Sequence, residues 1–159
     1  MVFYRGHLLI CGGTGCVSSG CKDVIIAFQE ELRKKKLDEE IKIVETGCHG
    51  FCEKGPLVIV YPEGVMYCRV EVKDVQEIVG EHLMKGRPVS RLFFTEPLSL
   101  DKVPKYQEID FYRKQQRIAL RNCGYIDPEN FNEYLARGGY AALEKMLSEM
   151  TPEEVTNAV

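Results

Sequence analysis

The stretch CGGTGC at residues 11–16 decides how this chain folds, and it is matched by CHGFC at residues 48–52. Each stretch places two cysteines in a loop that contains glycine, and each follows a segment with the pattern of a β-strand. Glycine lets the backbone approach a bound group closely, because it carries no side chain. The two loops therefore predict a metal site whose ligands are Cys11, Cys16, Cys48 and Cys52.

The segments around these loops alternate between strand and helix patterns. Strand patterns cover 7–11, 41–46, 57–61 and 66–70, and amphipathic helix patterns cover 22–37 and 72–84. The opening strand–helix–strand unit requires a parallel pair with a right-handed crossover, and the later hairpin adds antiparallel strands. We therefore predict an α/β fold for residues 1–90, a thioredoxin-like four-stranded mixed sheet with two helices.

The pattern changes beyond residue 90. Residues 91–110 contain prolines and little periodicity, which is typical of a linker or of a strap over a surface. A small all-α extension at 111–159 should follow, with helices at 111–122 (stopped by Gly124), 128–137 (capped by Asp127), 140–150 and from Thr151 onward. Because this extension is small and its last helix short, we expect it to lead into a larger domain.

Composition excludes several classes of function. The chain has 159 residues, a net charge of −3 and no long basic run, so it lacks the positive surface that nucleic acid requires. No window approaches the roughly 20 apolar residues of a membrane span, and the N-terminus has no signal-peptide pattern. The odd count of seven cysteines is unlike a secreted disulfide framework. We therefore expect a cytoplasmic protein whose thiols bind metal or carry out redox chemistry.

The spacing within each loop favours one kind of metal centre. Structural zinc sites favour C-x2-C, whereas the C-x4-C and C-x3-C pairs seen here suit a [2Fe–2S] cluster held by four thiolates. A thioredoxin-type active site is excluded, since the chain contains no C-x-x-C. An electron carrier is expected. The alternatives are a structural zinc module with the same four thiols and a domain that has lost its cluster and only docks subunits.

One ligand in the first loop stays open. Cys16 and Cys21 repeat the spacing of Cys11 and Cys16, so spacing alone does not decide which of these two pairs supplies the ligands. Cys11 is favoured because the end of a strand fixes its direction. Cys21 lies where a helix begins, a position that lowers the pKa of a thiol and would suit a substitute ligand or a reactive group.

Other residues near the loops have lesser predicted roles. His49 lies between two expected ligands, but Rieske centres use two histidines, so we expect His49 to donate to the cluster's surroundings or to be exposed. In either position His49 would make the reduction potential of the cluster depend on pH. Lys22 and Lys54 either offset cluster charge or are solvated. Cys68 and Cys123 are expected to serve packing.

Two parts of the sequence resemble known proteins. CGGTGC followed by GCHGFCEKGP resembles the thioredoxin-like [2Fe–2S] ferredoxin domain, which implies Cys11, Cys16, Cys48 and Cys52 as ligands. Cys21 departs from that pattern, where serine is usual. FYRKQQRIALRNCGYIDPE at 111–129, YLARGGY at 134–140 and MTPEEV at 150–155 look like the lead-in to the flavoprotein subunit of NADH dehydrogenase.

A ferredoxin domain ahead of such a lead-in is the arrangement of the NADH-binding (diaphorase) subunit of NAD(P)-linked iron hydrogenases and related formate dehydrogenases. The resemblance implies an electron relay that catalyses nothing alone. It places FMN, NAD(P) and a [4Fe–4S] cluster downstream, since the GRGGAGF-type loop that cradles FMN does not occur in this sequence. Implied partners are a small [2Fe–2S] subunit and a catalytic iron–sulfur subunit, or a second copy of the chain, but neither nucleic acid nor a membrane.

Overall fold

A computed structural model describes residues 4–123 and 125–158. It contains two compact units, one that ends at Asp127 and one that begins at Pro128. Gly124, which was expected to stop a helix, lies outside the described residues.

The first unit is built on a four-stranded mixed sheet. Its strands are β1 Gly6–Cys11, β2 Ile41–Thr46, β3 Val58–Tyr61 and β4 Val65–Tyr67. In the order β2-β1-β3-β4, β1 pairs in parallel with β2, and β3 pairs antiparallel with both β1 and β4. The predicted sheet is therefore confirmed. Strand β4 ends three residues before the end of the predicted range 66–70, because Arg69 takes a left-handed conformation with φ of 52° that prevents the strand from continuing.

Helices pack on this sheet. They are α1 Thr14–Ser18, α2 Cys21–Lys34 and α3 Val72–Glu77, which continues as a π-helical turn over Ile78–Leu83. Helix α2 contacts β1, β2 and α3, and its buried stripe is the one that the sequence pattern predicts. The short helix α1 was not predicted, since its five residues TGCVS show no apolar periodicity.

Residues 90–123, which we call the strap, follow the sheet, and their first part pairs with the outer edge of β4. The strap contains 3-10 turns at Ser90–Leu92 and Tyr106–Glu108, strands β5 Phe94–Thr95 and β6 Lys102–Val103, and helix α4 Asp110–Arg113. The N–H of Met66 donates to the carbonyl of Pro104 and that of Cys68 to Leu92, each at 2.8 Å. The strap thus forms hydrogen bonds with backbone groups of an edge strand, which would otherwise be available to pair with a strand of another chain.

The helix predicted over 111–122 is wrong. Helix α4 ends at Arg113, and turns follow it. Arg117 binds main-chain carbonyls instead, and Ile118 is 79% exposed, so the apolar positions of the predicted helix have no core to cover. Tertiary contacts therefore override the local pattern here.

The second unit consists of short helices. They are α5 Phe131–Ala136, α6 Ala141–Glu149 and α7 Pro152–Ala158. The side chain of Asn130, and not the expected Asp127, caps α5 by accepting from two main-chain N–H groups. Helices α6 and α7 lie where they were predicted. No helix among the described residues has the length and apolar character that a membrane span needs.

A buried hydrogen bond links β4 to the π-helical turn. The hydroxyl oxygen of Tyr67 lies 2.7 Å from Nδ1 of His82 and accepts from the N–H of Val89 at 3.1 Å. Both side chains are buried. Burial lowers the pKa of His82, although the charge of Glu63 acts in the opposite direction. The imidazole is therefore neutral in the folded protein at neutral pH.

Acid should destabilise the fold through His82. Because the pKa of His82 is lower in the folded protein, the unfolded chain takes up this proton first as the pH falls below about 6.5. The stabilisation contributed by neutral His82 is therefore complete above about pH 6.5 and is lost as the pH falls below that value. Urea unfolding of His82→Gln should therefore show a smaller fall in the free energy of unfolding between about pH 7 and pH 5 than the wild type shows. Equal pH dependence in the two proteins would contradict this assignment.

Candidate metal centre

The parallel pair of strands delivers both cysteine loops to one end of the sheet. Cys11 is the last residue of β1 and lies opposite Thr46, the last residue of β2. Cys48 follows β2 by two residues, Cys16 lies in α1, and Cys52 begins a 3-10 turn that ends at Lys54. All four predicted ligands therefore lie at the carboxyl ends of β1 and β2 or in the loops that follow them.

Glycines bring the backbone of one loop against the sulfurs of the other. A Cβ atom at Gly13 would lie 3.1 Å from Sγ of Cys48, and one at Gly15 would lie 3.3 Å from Sγ of Cys52. A Cβ atom at Gly55, beyond the second loop, would lie 2.7 Å from Sγ of Cys16. These distances leave little room for a side chain, so the backbone of each loop packs against thiols of the other because those positions are glycine.

The four thiols form two pairs. The Sγ atoms of Cys48 and Cys52 are 3.9 Å apart, close to the separation of about 3.8 Å for two thiolates on one tetrahedral ion with bonds of about 2.3 Å. Cys11 lies close enough to Cys16 to raise the pKa of the Cys16 thiol. Within 4–123 and 125–158, no three ligating side chains gather around one ion position. Two thiolates for each iron is the arrangement that a [2Fe–2S] cluster takes, so these residues fit that cofactor.

Burial and neighbouring thiols raise the pKa values of Cys16 and Cys52. Burial and the hydrogen bond with Cys11 raise the pKa of Cys16 to about 12. The hydrogen bond with Cys48 is the largest cause of the raised pKa of Cys52, and the charge of Cys11 also contributes. Binding of metal must release these protons, so assembly of the site is coupled to pH.

Backbone N–H groups point at two of the sulfurs. Gly50 donates to Sγ of Cys48 at 3.3 Å, and Leu57 donates to the thiol of Cys16 and lowers its pKa. Such donors stabilise negative charge on sulfur and help to set the reduction potential of a cluster. The loop geometry therefore brings backbone donors to two of the candidate ligands.

Cys21 lies in a different environment from the one expected. It is the first residue of α2 and is fully buried. Its pKa is raised, first by burial and then by the charge of Glu45, although Lys22 lowers it. The expectation of a lowered pKa is wrong, because loss of water outweighs the effect of the helix N-terminus. Its role as an alternative ligand stays a prediction.

His49 is buried, so the option of an exposed side chain is wrong. Only 4% of the residue is accessible, and Nε2 lies 3.3 Å from the hydroxyl of Thr46. Among the described residues Nδ1 has no hydrogen-bond partner. Burial, aided by the charge of Arg117, lowers the pKa of His49 to about 4. Its role as a donor near the cluster stays a prediction.

The two lysines near the loops interact with residues other than the four cysteines. Lys22 forms an ion pair with Glu45, and Lys54 lies over the ring of Phe94 with Nζ 5.9 Å from the centroid. Cys68 is buried, as expected of a packing residue. Cys123 is only partly buried, and its thiol donates to the carbonyl of Cys48 at 3.1 Å. Packing therefore does not describe Cys123 fully, since it contacts the second ligand loop.

An aromatic cluster beside the candidate ligands was not predicted, because no local pattern in the sequence indicates it. Phe51, between the two cysteines of the second loop, stacks on Phe111 and also contacts Phe94 and Tyr112, with ring centroids 5.1, 5.1 and 5.8 Å apart. These three partners belong to the strap. They meet Phe51 only because the chain folds back onto the second loop, and local periodicity in the sequence does not predict such a contact.

This combination of a four-stranded mixed sheet and paired thiols in glycine loops defines a ferredoxin-type electron-transfer domain. The family described as thioredoxin-like [2Fe–2S] ferredoxin matches residues 4–82. A 2Fe–2S ferredoxin from Clostridium pasteurianum is 38% identical over 100 residues, which cover 58% of this chain and 98% of that protein. The chain belongs to the thioredoxin-like [2Fe–2S] ferredoxin family, and its cofactor is a [2Fe–2S] cluster.

Two further comparisons extend this result. The wild-type thioredoxin-like [2Fe–2S] ferredoxin from Aquifex aeolicus, a 1.5 Å crystal structure, has a TM-score of 0.53 and 36% identity, covering 59% of this chain and all of that one. It confirms the predicted fold class. The NADP-reducing hydrogenase subunit HndC of Solidesulfovibrio fructosivorans is 55% identical over 47 residues, 30% of this chain and 9% of that subunit.

Because Gly13 lies against Cys48, the addition of one methyl group at residue 13 should weaken cluster binding. A Cβ atom there would lie 2.9 Å from Cβ of Cys48, so Gly13→Ala must displace a ligand. We expect the variant to retain its cluster about tenfold less well, measured as the rate of iron release to a chelator.

Gly80→Ala is the matched control, because an added Cβ at that position meets no described atom within 4 Å. It should release iron at the wild-type rate. A Gly13→Ala protein that also releases iron at that rate would show that the loops do not enclose the site as described.

Proposed function

We propose that Cys11, Cys16, Cys48 and Cys52 hold the [2Fe–2S] cluster and that the chain serves as a one-electron carrier. The main support is the interlocked pair of loops, in which glycines of the first loop contact Cys48 and Cys52 and Gly55 contacts Cys16. The 3.9 Å separation of the Cys48 and Cys52 sulfurs adds to this support.

The two thiol pairs have different tasks in this proposal. When bound, the cluster accepts and donates single electrons. Cys11 and Cys16 are buried and anchor one side of the site, whereas Cys48 and Cys52 are exposed. The exposed pair gives an electron partner the shorter approach. The N–H groups of Gly50 and Leu57 offset the negative charge that reduction adds.

We further propose that this carrier works within a multisubunit NAD(P)-linked oxidoreductase of the hydrogenase type. The similarity to a subunit named NADP-reducing hydrogenase HndC supports this, although the chain spans only 9% of its length. FMN, NAD(P) and a [4Fe–4S] cluster would be bound outside the present chain, which would catalyse nothing alone. Partners would be the other subunits, among them a small [2Fe–2S] subunit and a catalytic iron–sulfur subunit.

The predicted division of the chain belongs to the same proposal. Residues 1–90 would form the carrier domain, 91–110 the linker, and 111–159 the lead-in to a flavin and nicotinamide domain. A cytoplasmic location suits the seven free cysteines, since free thiols persist in reducing compartments. Co-purification of the chain from its own cells with a flavin-containing, NAD(P)-linked partner tests the assembly. Isolation as a free ferredoxin would contradict it.

Serine substitutions test the ligand set. We expect Cys11→Ser, Cys16→Ser, Cys48→Ser and Cys52→Ser each to lose most of the visible absorbance and to lose or change the EPR signal of the reduced protein, since serine is a poorer ligand for iron than a thiolate. Cys21→Ser is the control, because it removes a buried thiol near the same loop. It should keep the wild-type spectra.

Two results would contradict this proposal in different ways. Loss of the cluster in Cys21→Ser with retention in Cys11→Ser or Cys16→Ser would show that the ligand set is wrong. A colourless wild-type protein that contains zinc would show that the four thiols form a structural site and that the chain carries no electrons.

A further inference from the structure

The strap is hydrogen-bonded to the loop that carries Cys48 and Cys52. The two terminal guanidinium nitrogens of Arg117 donate to the carbonyls of His49 and Cys123, each at 3.2 Å. The thiol of Cys123 donates to the carbonyl of Cys48 at 3.1 Å. Two of these bonds, to the carbonyls of His49 and Cys48, connect the strap to the main chain of the ligand loop. The third joins Arg117 to Cys123 within the strap, so it fixes the two donors relative to each other.

Aromatic packing makes the same connection. Phe51 lies between the two ligands of the loop, and the rings of Phe94, Phe111 and Tyr112 surround it. Arg117 also lies over the ring of Tyr112, with its guanidinium carbon 5.2 Å from the centroid. The strap therefore brings a positive charge and an aromatic cluster to a site that holds negative charge.

Among the described residues of the strap, Tyr112 has a buried hydroxyl that lacks a hydrogen-bond partner. Tyr112 is 9% exposed, and its hydroxyl is buried with no hydrogen-bond partner among the described residues. A buried hydroxyl normally has a partner, because leaving it unpaired is costly. Burial raises the pKa of Tyr112, Arg117 lowers it, and the charges of Cys68, Cys11 and Cys48 raise it further. The ring of Tyr112 packs against Phe51, between the two candidate ligands of the second loop, so this unpaired hydroxyl belongs to a side chain that lies beside the ligand loop.

We propose that the strap completes the cluster site, with Tyr112 donating a hydrogen bond to the sulfur core of the bound cluster and Arg117 holding the strap in place. This inference rests on the proposed ligand set. Tyr112 acts on the cluster directly and Arg117 is a positioning residue, and both favour the reduced, more negative cluster and raise its reduction potential. Both lie beyond residues 4–82, the part of the chain that the family pattern matches.

Tyr112→Phe removes only the hydroxyl and should act differently with and without the cluster. In the loaded protein we expect the ratio of reduced to oxidised cluster at a fixed potential to fall about tenfold, equivalent to about 59 mV for a one-electron couple. In the cluster-free protein the variant should be at least as stable to urea as the wild type, because it removes an unpaired buried group.

Tyr106→Phe is the matched control. It removes a buried tyrosine hydroxyl from the same strap, but one that donates to the hydroxyl of Tyr125 at 2.6 Å. We expect this variant to lose stability and to keep the wild-type potential. The opposite responses of the two variants separate an effect on the cluster from a general effect on packing.

Arg117 gives an independent test by spectroelectrochemical titration. Arg117→Gln should lower the potential, and Arg117→Lys, which keeps the charge, should restore part of it. Arg113→Gln is the control, since Arg113 lies in the same strap and forms an ion pair with Asp110.

The outcomes distinguish this inference from the proposed function. If the wild-type chain binds iron and sulfide but Tyr112→Phe and Arg117→Gln both keep its potential, the strap has no role in the site, while the carrier function stands. If the wild-type chain binds no cluster, the proposed function fails and this inference fails with it. A fall in potential confined to these two variants supports the role of the strap.

Discussion

The parallel pairing of β1 with β2 is the constraint on which the rest of the structure depends. Because the two strands run in the same direction, their carboxyl ends bring Cys11 and the loop of Cys48 to one end of the sheet. A shift of register by one residue would turn Cys11 toward the other face and separate the thiol pairs. Gly13 and Gly15 then allow the close contact that a cluster needs, and helix α2 covers the sheet behind it.

Most of the sheet could be predicted because its strands obey simple periodicity. Strand β2 has the predicted bounds, and β1 and β3 differ from prediction by one residue at one end. The failures lie where tertiary contacts decide the conformation. The backbone at Arg69 ends β4 early, and Arg117 binds carbonyls where a continuous helix was expected. Neither residue carries a local signal for these conformations.

The candidate site was predictable to the extent that it depends on spacing within loops. The two cysteine loops lie at one end of the sheet, while the ligand set itself stays a prediction. The expected direction of the pKa shift at Cys21 was wrong because burial is not visible in the sequence. The strap was missed for a related reason. Arg117 and His49 are 68 positions apart, so their hydrogen bond follows from the fold and from no motif. Features of this kind modify the properties of a site, whereas spacing suggests which residues are its candidate ligands.

X-ray absorption at the iron edge of the purified wild-type chain tests the central claim most directly, since it reports the atoms bound to the metal. Cluster ligation by Cys11, Cys16, Cys48 and Cys52 predicts a first shell of sulfur alone and a second iron at short distance. A nitrogen ligand in the first shell, as from His49, or zinc in place of iron would contradict that claim.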